Sequence, residues 1–103
     1  MLRFHFYKVR PGKLEKLKSW SQELKRREDE VRATFVQEKV KFEGFYLFEE
    51  KGVWFAAGLQ KTEKDFTPAD LSVPLNKQHL DILKECLESI KFERLYEFYL
   101  NSK

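Results

Sequence analysis

The chain opens on strict alternation. From Leu2 to Val9 it reads Leu-Arg-Phe-His-Phe-Tyr-Lys-Val, with Leu2, Phe4 and Phe6 in one phase and Arg3, His5 and Tyr7 in the other, the period of a β-strand. Pro11 and Gly12 interrupt it, and Pro11 is well placed near a helix start. From about residue 13 to 38 the apolar positions become helical: Leu14, Leu17, Leu24, Val31 and Phe35 form one stripe, with Ser21 and Glu28 filling its gaps. Glu23 to Arg27 and Glu28 to Arg32 add i,i+4 pairs with the acid first, the favourable orientation. A single helix over this stretch would be about 39 Å long, whereas the first strand covers only about 26 Å. It must overhang the sheet or break.

Val40 to Glu49 and Val53 to Gln60 are aromatic and β-branched, and the intervening Glu50-Lys51-Gly52 predicts a hairpin. Residues 61–75 hold two prolines and no clear period, which suits a lid or a loop. Asn76 can cap a second helix, whose stripe is Leu80, Leu83, Leu87 and Ile90, and Phe92 to Leu100 reads as a final strand, aromatic on both faces. The order strand, helix, strand, strand, helix, strand predicts an α+β fold: a single ferredoxin-like βαββαβ domain over residues 1–103, with a four-stranded antiparallel sheet. Right-handed crossovers place both helices on one face.

With Leu2, Phe4 and Phe6 turned toward the helices, the bare face would carry Tyr7, Val9, one phase of the hairpin including Phe45, Leu47 or Trp54, and Leu95 and Tyr99. An aromatic face of that size marks an interaction surface. The expected solution is a homodimer, a dimeric α+β barrel with Arg3, His5 and Tyr7 inside.

Length and composition narrow the function. The 103 residues suit one domain, and 20 basic against 17 acidic residues leave a net charge of only +3, too little to point to specific nucleic-acid binding. The single Cys86 and the charged start argue for a cytoplasmic protein, and no apolar run approaches the roughly 20 residues of a membrane span. His79 and Cys86 would lie about 10.5 Å apart along a helix, too far to share a metal. No metal or cofactor is expected.

Candidate chemistry rests on six residues. Arg3, His5 and Tyr7 on a central strand suggest the polar floor of a pocket, because central strands are poor places for idle charge. Glu43 is either an edge charge that discourages strand addition or a carboxylate facing Arg3 or His5. His79 can donate or accept near neutral pH, and Trp54 would supply an apolar rim together with Phe45. A ligand between sheet and helices near His5, Glu43 and His79 would carry an anionic or phenolic oxygen. The expected function is small-molecule binding or cofactor-independent, oxygenase-like catalysis. The alternatives are single-stranded nucleic-acid binding through aromatic strand residues and a structural dimer without a ligand.

Arg10-Pro11-Gly12-Lys13 before a long helix with Trp20, Glu43 within Lys41-Phe42-Glu43-Gly44-Phe45, and the His79 to Cys86 spacing together resemble an uncharacterised family of small prokaryotic proteins. That family resembles the dimeric α+β barrel group, which includes antibiotic-biosynthesis and haem-degrading monooxygenases. The resemblance implies the barrel and its pocket. Trp54 and His79 could stand for two residues that the haem degraders use, but the first strand has no Asn to complete the set.

Overall fold

The computed structural model describes residues 1–100. Its elements are β1 (Leu2–Val9), α1 (Leu14–Arg26), α2 (Glu28–Glu38), β2 (Val40–Glu50), β3 (Val53–Thr62), α3 (Pro74–Cys86) and β4 (Leu87–Ile90). The strands form one antiparallel sheet in the order β2-β3-β1-β4. Among the described residues, no helix is long and apolar enough to cross a membrane.

The long helix breaks rather than overhangs. Arg27 separates α1 from α2, and its N–H still bonds back to Glu23 and Leu24 at 3.0 and 3.1 Å. The break explains Glu28, an acidic residue inside an apolar stripe: Glu28, Asp29 and Glu30 form the first turn of α2, where carboxylates meet the positive end of the helix dipole. Arg27 also ties the bend to its neighbours, donating to Glu30 at 2.9 and 2.8 Å and to Gln78 of α3 at 2.9 Å.

The hairpin turns on Lys51 and Gly52, at φ values of 51° and 80°. Two consecutive positive-φ residues match the twist of paired strands, and glycine takes the second position without steric cost. α3 starts earlier than Asn76: Val73 is its N-cap and Pro74 its first residue, where a missing N–H costs nothing. Asn76 instead donates to the Asp70 carbonyl at 3.0 Å.

The C-terminal half of the prediction needs two corrections. Leu87 and Ile90 do not extend the α3 stripe, because Leu87 takes an extended backbone (φ −126°, ψ 144°) and begins β4, which pairs with Phe6–Val9. The last strand therefore lies at Leu87–Ile90, and residues 91–99 have no regular structure. Strand-forming composition there is not matched by a hydrogen-bonded neighbour.

The sheet is also turned over relative to expectation. Val9, Leu17, Ala56, Cys86 and Leu87 form the buried core, with Tyr7, Leu14, Leu47, Ile82 and Leu83 packed against it. The Arg3–His5–Tyr7–Val9 phase thus lies beneath the helices, and Leu2, Phe4 and Phe6 look away from them. The Arg3, His5 and Tyr7 face therefore packs against the chain's own helices instead of forming the bare side of the sheet, with His5 still exposed. The reason lies in β3. Its helix side carries Trp54, Ala56, Gly58 and Gln60, of which Ala56 and Gly58 at mid-strand admit a close helix layer, and its outer side carries Val53, Phe55, Ala57 and Leu59.

Candidate functional site

Beyond the packed end of the sheet, where Val9, Ala56 and Leu87 meet α1 and α3, the helices lift away and leave a cavity of about 290 Å³. Its floor is the N-terminal half of β1 with the facing parts of β2 and β3, and its walls come from all three helices. Leu24, Val31, Phe35, Leu80 and Leu83 make much of the lining apolar. Arg3, His5, Tyr7, Glu43 and His79 all border this one space. Trp54 does not: it lies four residues along β3 from Gly58, the nearest lining residue of that strand, about 13 Å along it, opposite Glu49 near the hairpin turn and against the hydrophobic core.

Strand register sets the polar floor. Arg3 and Glu43 sit on either side of Gln60 in the central β3. The Arg3 guanidinium donates to Gln60 Oε1 at 3.3 Å, and Gln60 Nε2 donates to Glu43 Oε1 at 2.7 Å. One amide thus relays between a cation and a carboxylate that do not touch. Arg3 is also stacked over the Phe66 ring, 4.3 Å from its centroid, so the segment after β3 closes over this corner. His5 stacks on Tyr7 with centroids 6.3 Å apart, and Phe45 leans toward Tyr7 across Gly58, whose lack of a side chain keeps that strip of floor open.

His79 is held by the helix layer. Trp20, buried on α1, donates its Nε1–H to Nδ1 of His79 at 2.9 Å. Indole nitrogen can only donate, so Nδ1 must be the unprotonated nitrogen and the proton of the neutral ring belongs to Nε2. Burial favours the same state by pushing the imidazole below its ordinary range, although Glu43 pulls the other way. Nε2 has no hydrogen-bond partner among the described residues, which leaves it a donor for whatever occupies the cavity.

Two carboxylates complete the site. Glu38, at the end of α2, is raised above the usual carboxylate range by burial and then by the charge of Glu43, while a long hydrogen bond from Asn76 at 3.4 Å opposes the shift. Burial, and secondarily Glu43, likewise raises the Tyr7 phenol. Sequence reading missed Glu38 and Gln60. Gln60 was detectable in principle, as the polar continuation of the Ala56–Gly58 phase, once that phase is known to face the helices.

The arrangement can bind and orient a small polar group: it offers donors in His79 and Arg3, acceptors in Glu38 and Glu43, and an apolar enclosure. Among the described residues, no group of three or more His, Cys, Asp or Glu is placed to hold a metal ion. Cys86 is buried in the core, where burial raises its thiol.

The fold and cavity define an α+β protein with a helix-covered pocket over an antiparallel sheet. The chain belongs to a family whose model matches residues 2–101 and which is described as a family of unknown function, DUF6176. No curated protein and no solved structure matches it.

Proposed function

We propose that this is a small-molecule-binding protein whose ligand lies in the cavity between the helices and the sheet, presenting a neutral hydroxyl, phenolic in character, to His79. The observation that carries this reading is the fixed tautomer of His79 at the wall of an apolar cavity. A half-buried imidazole with one nitrogen tied and the other left as a donor is prepared for a ligand oxygen. Charge argues for the phenolic rather than the anionic ligand: Glu38 and Glu43 face the same space as Arg3, and Arg3 is already engaged with Gln60. The raised Glu38 carboxyl could take a hydroxyl proton, which is where catalysis would begin if the protein is an enzyme.

The element order, with α1 and α2 read as one interrupted crossover, and the strand order β2-β3-β1-β4 support the ferredoxin-like reading of the domain. The pocket in this reading lies within one chain, under its own helices, and needs no barrel formed between two sheets.

The test compares three probes of one size and shape: 2-naphthol, 2-naphthoate and naphthalene. Saturable binding ranked in that order with naphthol first, followed by tryptophan fluorescence, and weakened for naphthol alone by His79→Phe, is the expected result. Failure of all three to bind at millimolar concentration, or naphthoate binding best, overturns the reading.

A further inference from the structure

The lysines nearest the cavity turn their charge away from it. Lys39 pairs with Asp65 at 2.6 Å and Lys41 with Glu63 at 2.9 Å, and none of these four residues borders the space. Their chain neighbours Glu38 and Glu43 do border it, and neither forms an ion pair among the described residues. Arg3 is the only Lys or Arg in the lining, and it is engaged with Gln60 and the Phe66 ring. The lining thus holds two carboxylates and one cation that pairs with neither.

Given the pocket reading, on which this rests, we propose that the ligand carries a protonated amine as well as its hydroxyl, the amine held between Glu38 and Glu43 and the hydroxyl at His79. The ligand class is then a small phenolic amine. Hydrogen-bond capacity supports it. Asn76 donates its Nδ2 to the Asp70 carbonyl at 3.0 Å and to Glu38 Oε2 at 3.4 Å. Both partners are acceptors, which fixes the amide nitrogen and leaves Oδ1 as an acceptor. Gln60 takes Oε1 of Glu43 at 2.7 Å. Glu38 Oε1, Glu43 Oε2 and Asn76 Oδ1 have no hydrogen-bond partner among the described residues, and an ammonium brings three donors and no acceptor. Asn76 lies one turn before His79 on α3, about 4.5 Å along the axis and on the same face, so the two polar ends of one small molecule can be met together. Beyond the effect of burial, the Glu43 charge raises Glu38 and Tyr7 and pulls His79 upward, which places it near all three. The remaining lining also suits a cation, because Tyr7, Phe35 and Phe45 bring aromatic rings to the same space. A volume of about 290 Å³ is at the small end for ligand pockets and fits a single ring with a short arm. The chain as a whole has a net charge of +3 and repels cations, so any preference for an amine must arise inside the cavity. With the amine in place, Glu38 stays ionised and holds the ligand.

Calorimetric titration of the full-length chain with tyramine, 4-propylphenol and 3-(4-hydroxyphenyl)propionate tests this, since the three share one ring and nearly one shape and differ in charge at the end of the arm. Tyramine is expected to bind roughly ten- to a hundredfold tighter than 4-propylphenol, the range of one hydrogen bond to a charged group, and the propionate weakest. Glu38→Gln and Glu43→Gln should each narrow the gap between tyramine and 4-propylphenol, and together close it. Glu43 is exposed, so its variant keeps the test open should the half-buried Glu38 prove necessary for folding, which circular dichroism shows. Tyramine binding no tighter than 4-propylphenol, or keeping its advantage in both variants, overturns this proposal, and 4-propylphenol binding that His79→Phe weakens would then leave the pocket reading standing. If no phenol binds, or the propionate binds best, both fall.

Discussion

Trp20 and His79 form one unit across the α1–α3 interface: the indole N–H reaches Nδ1 at 2.9 Å, and the rings lie 6.1 Å apart at an interplanar angle of 28°. Neither helix places its residue over the cavity floor alone. The hydrogen bond makes the orientation of the imidazole, and hence the donor at Nε2, a property of the helix packing.

Acid should loosen this unit. The folded-state pKa of His79 lies below its unfolded value near 6.5, so the unfolded chain takes up the proton first. The stability linked to His79 is therefore fully present above about pH 6.5 and declines as pH falls below it. His79→Phe should cost roughly 1–3 kcal/mol at neutral pH by leaving the buried Trp20 N–H without an acceptor, and should flatten the pH dependence of urea unfolding over that window. Imidazole proton resonances provide the direct check: the signal missing from the variant must titrate below 6.5.

Gly58 controls the floor. It lies between His5 and Phe45, and a Cβ there would meet the Phe45 ring at 3.5 Å, ordinary contact. Gly58→Ala should therefore fold, with its single methyl group standing on the open strip of floor against the Phe45 ring. Naphthol titration should show weakened binding with the melting temperature close to that of the wild type. Undiminished binding would place the ligand elsewhere.

Thr62 is only 2% exposed, and its Oγ1 has no hydrogen-bond partner among the described residues. A buried hydroxyl without a partner is a cost, so the nearly isosteric Thr62→Val should stabilise the protein by about 1 kcal/mol. Chemical denaturation measures it. A loss of stability would reveal a partner for the hydroxyl, such as a bound water.

Glu85 receives Lys13 at 2.8 Å and Lys16 at 2.7 Å, fastening the start of α1 to the end of α3. These hydrogen bonds hold its carboxyl down at about 2. Because the folded value is depressed, the contribution is present above the ordinary value of 4.5 and is lost as pH falls from there toward 2. Glu85→Gln should be less stable at neutral pH and should show a shallower loss on acidification through that range, followed by circular dichroism.

Local periodicity was enough for the first strand, the hairpin and the helical character of residues 14–38 and 77–86, because each rests on neighbours a few positions apart, while the start of the last helix at Pro74 lay inside the stretch read as a loop. The three acids after Arg27 even carried the signal for the helix break, since carboxylates collect at helix starts. Alternation in β1 likewise separated Arg3, His5 and Tyr7 from Leu2, Phe4 and Phe6. Which set lies under the helices was not contained in that pattern, where the apolar phase was the natural choice. Cross-strand register placed Ala56 and Gly58 of β3 beside Tyr7 and His5, on the side where the helix layer packs. The same long-range pairing brought Glu43 within reach of Gln60 and carried Trp54 away from the cavity. It also began the last strand at Leu87, since a strand exists only where another strand completes its hydrogen bonds, and β1 offered those partners to Leu87–Ile90 rather than to residues 92–100.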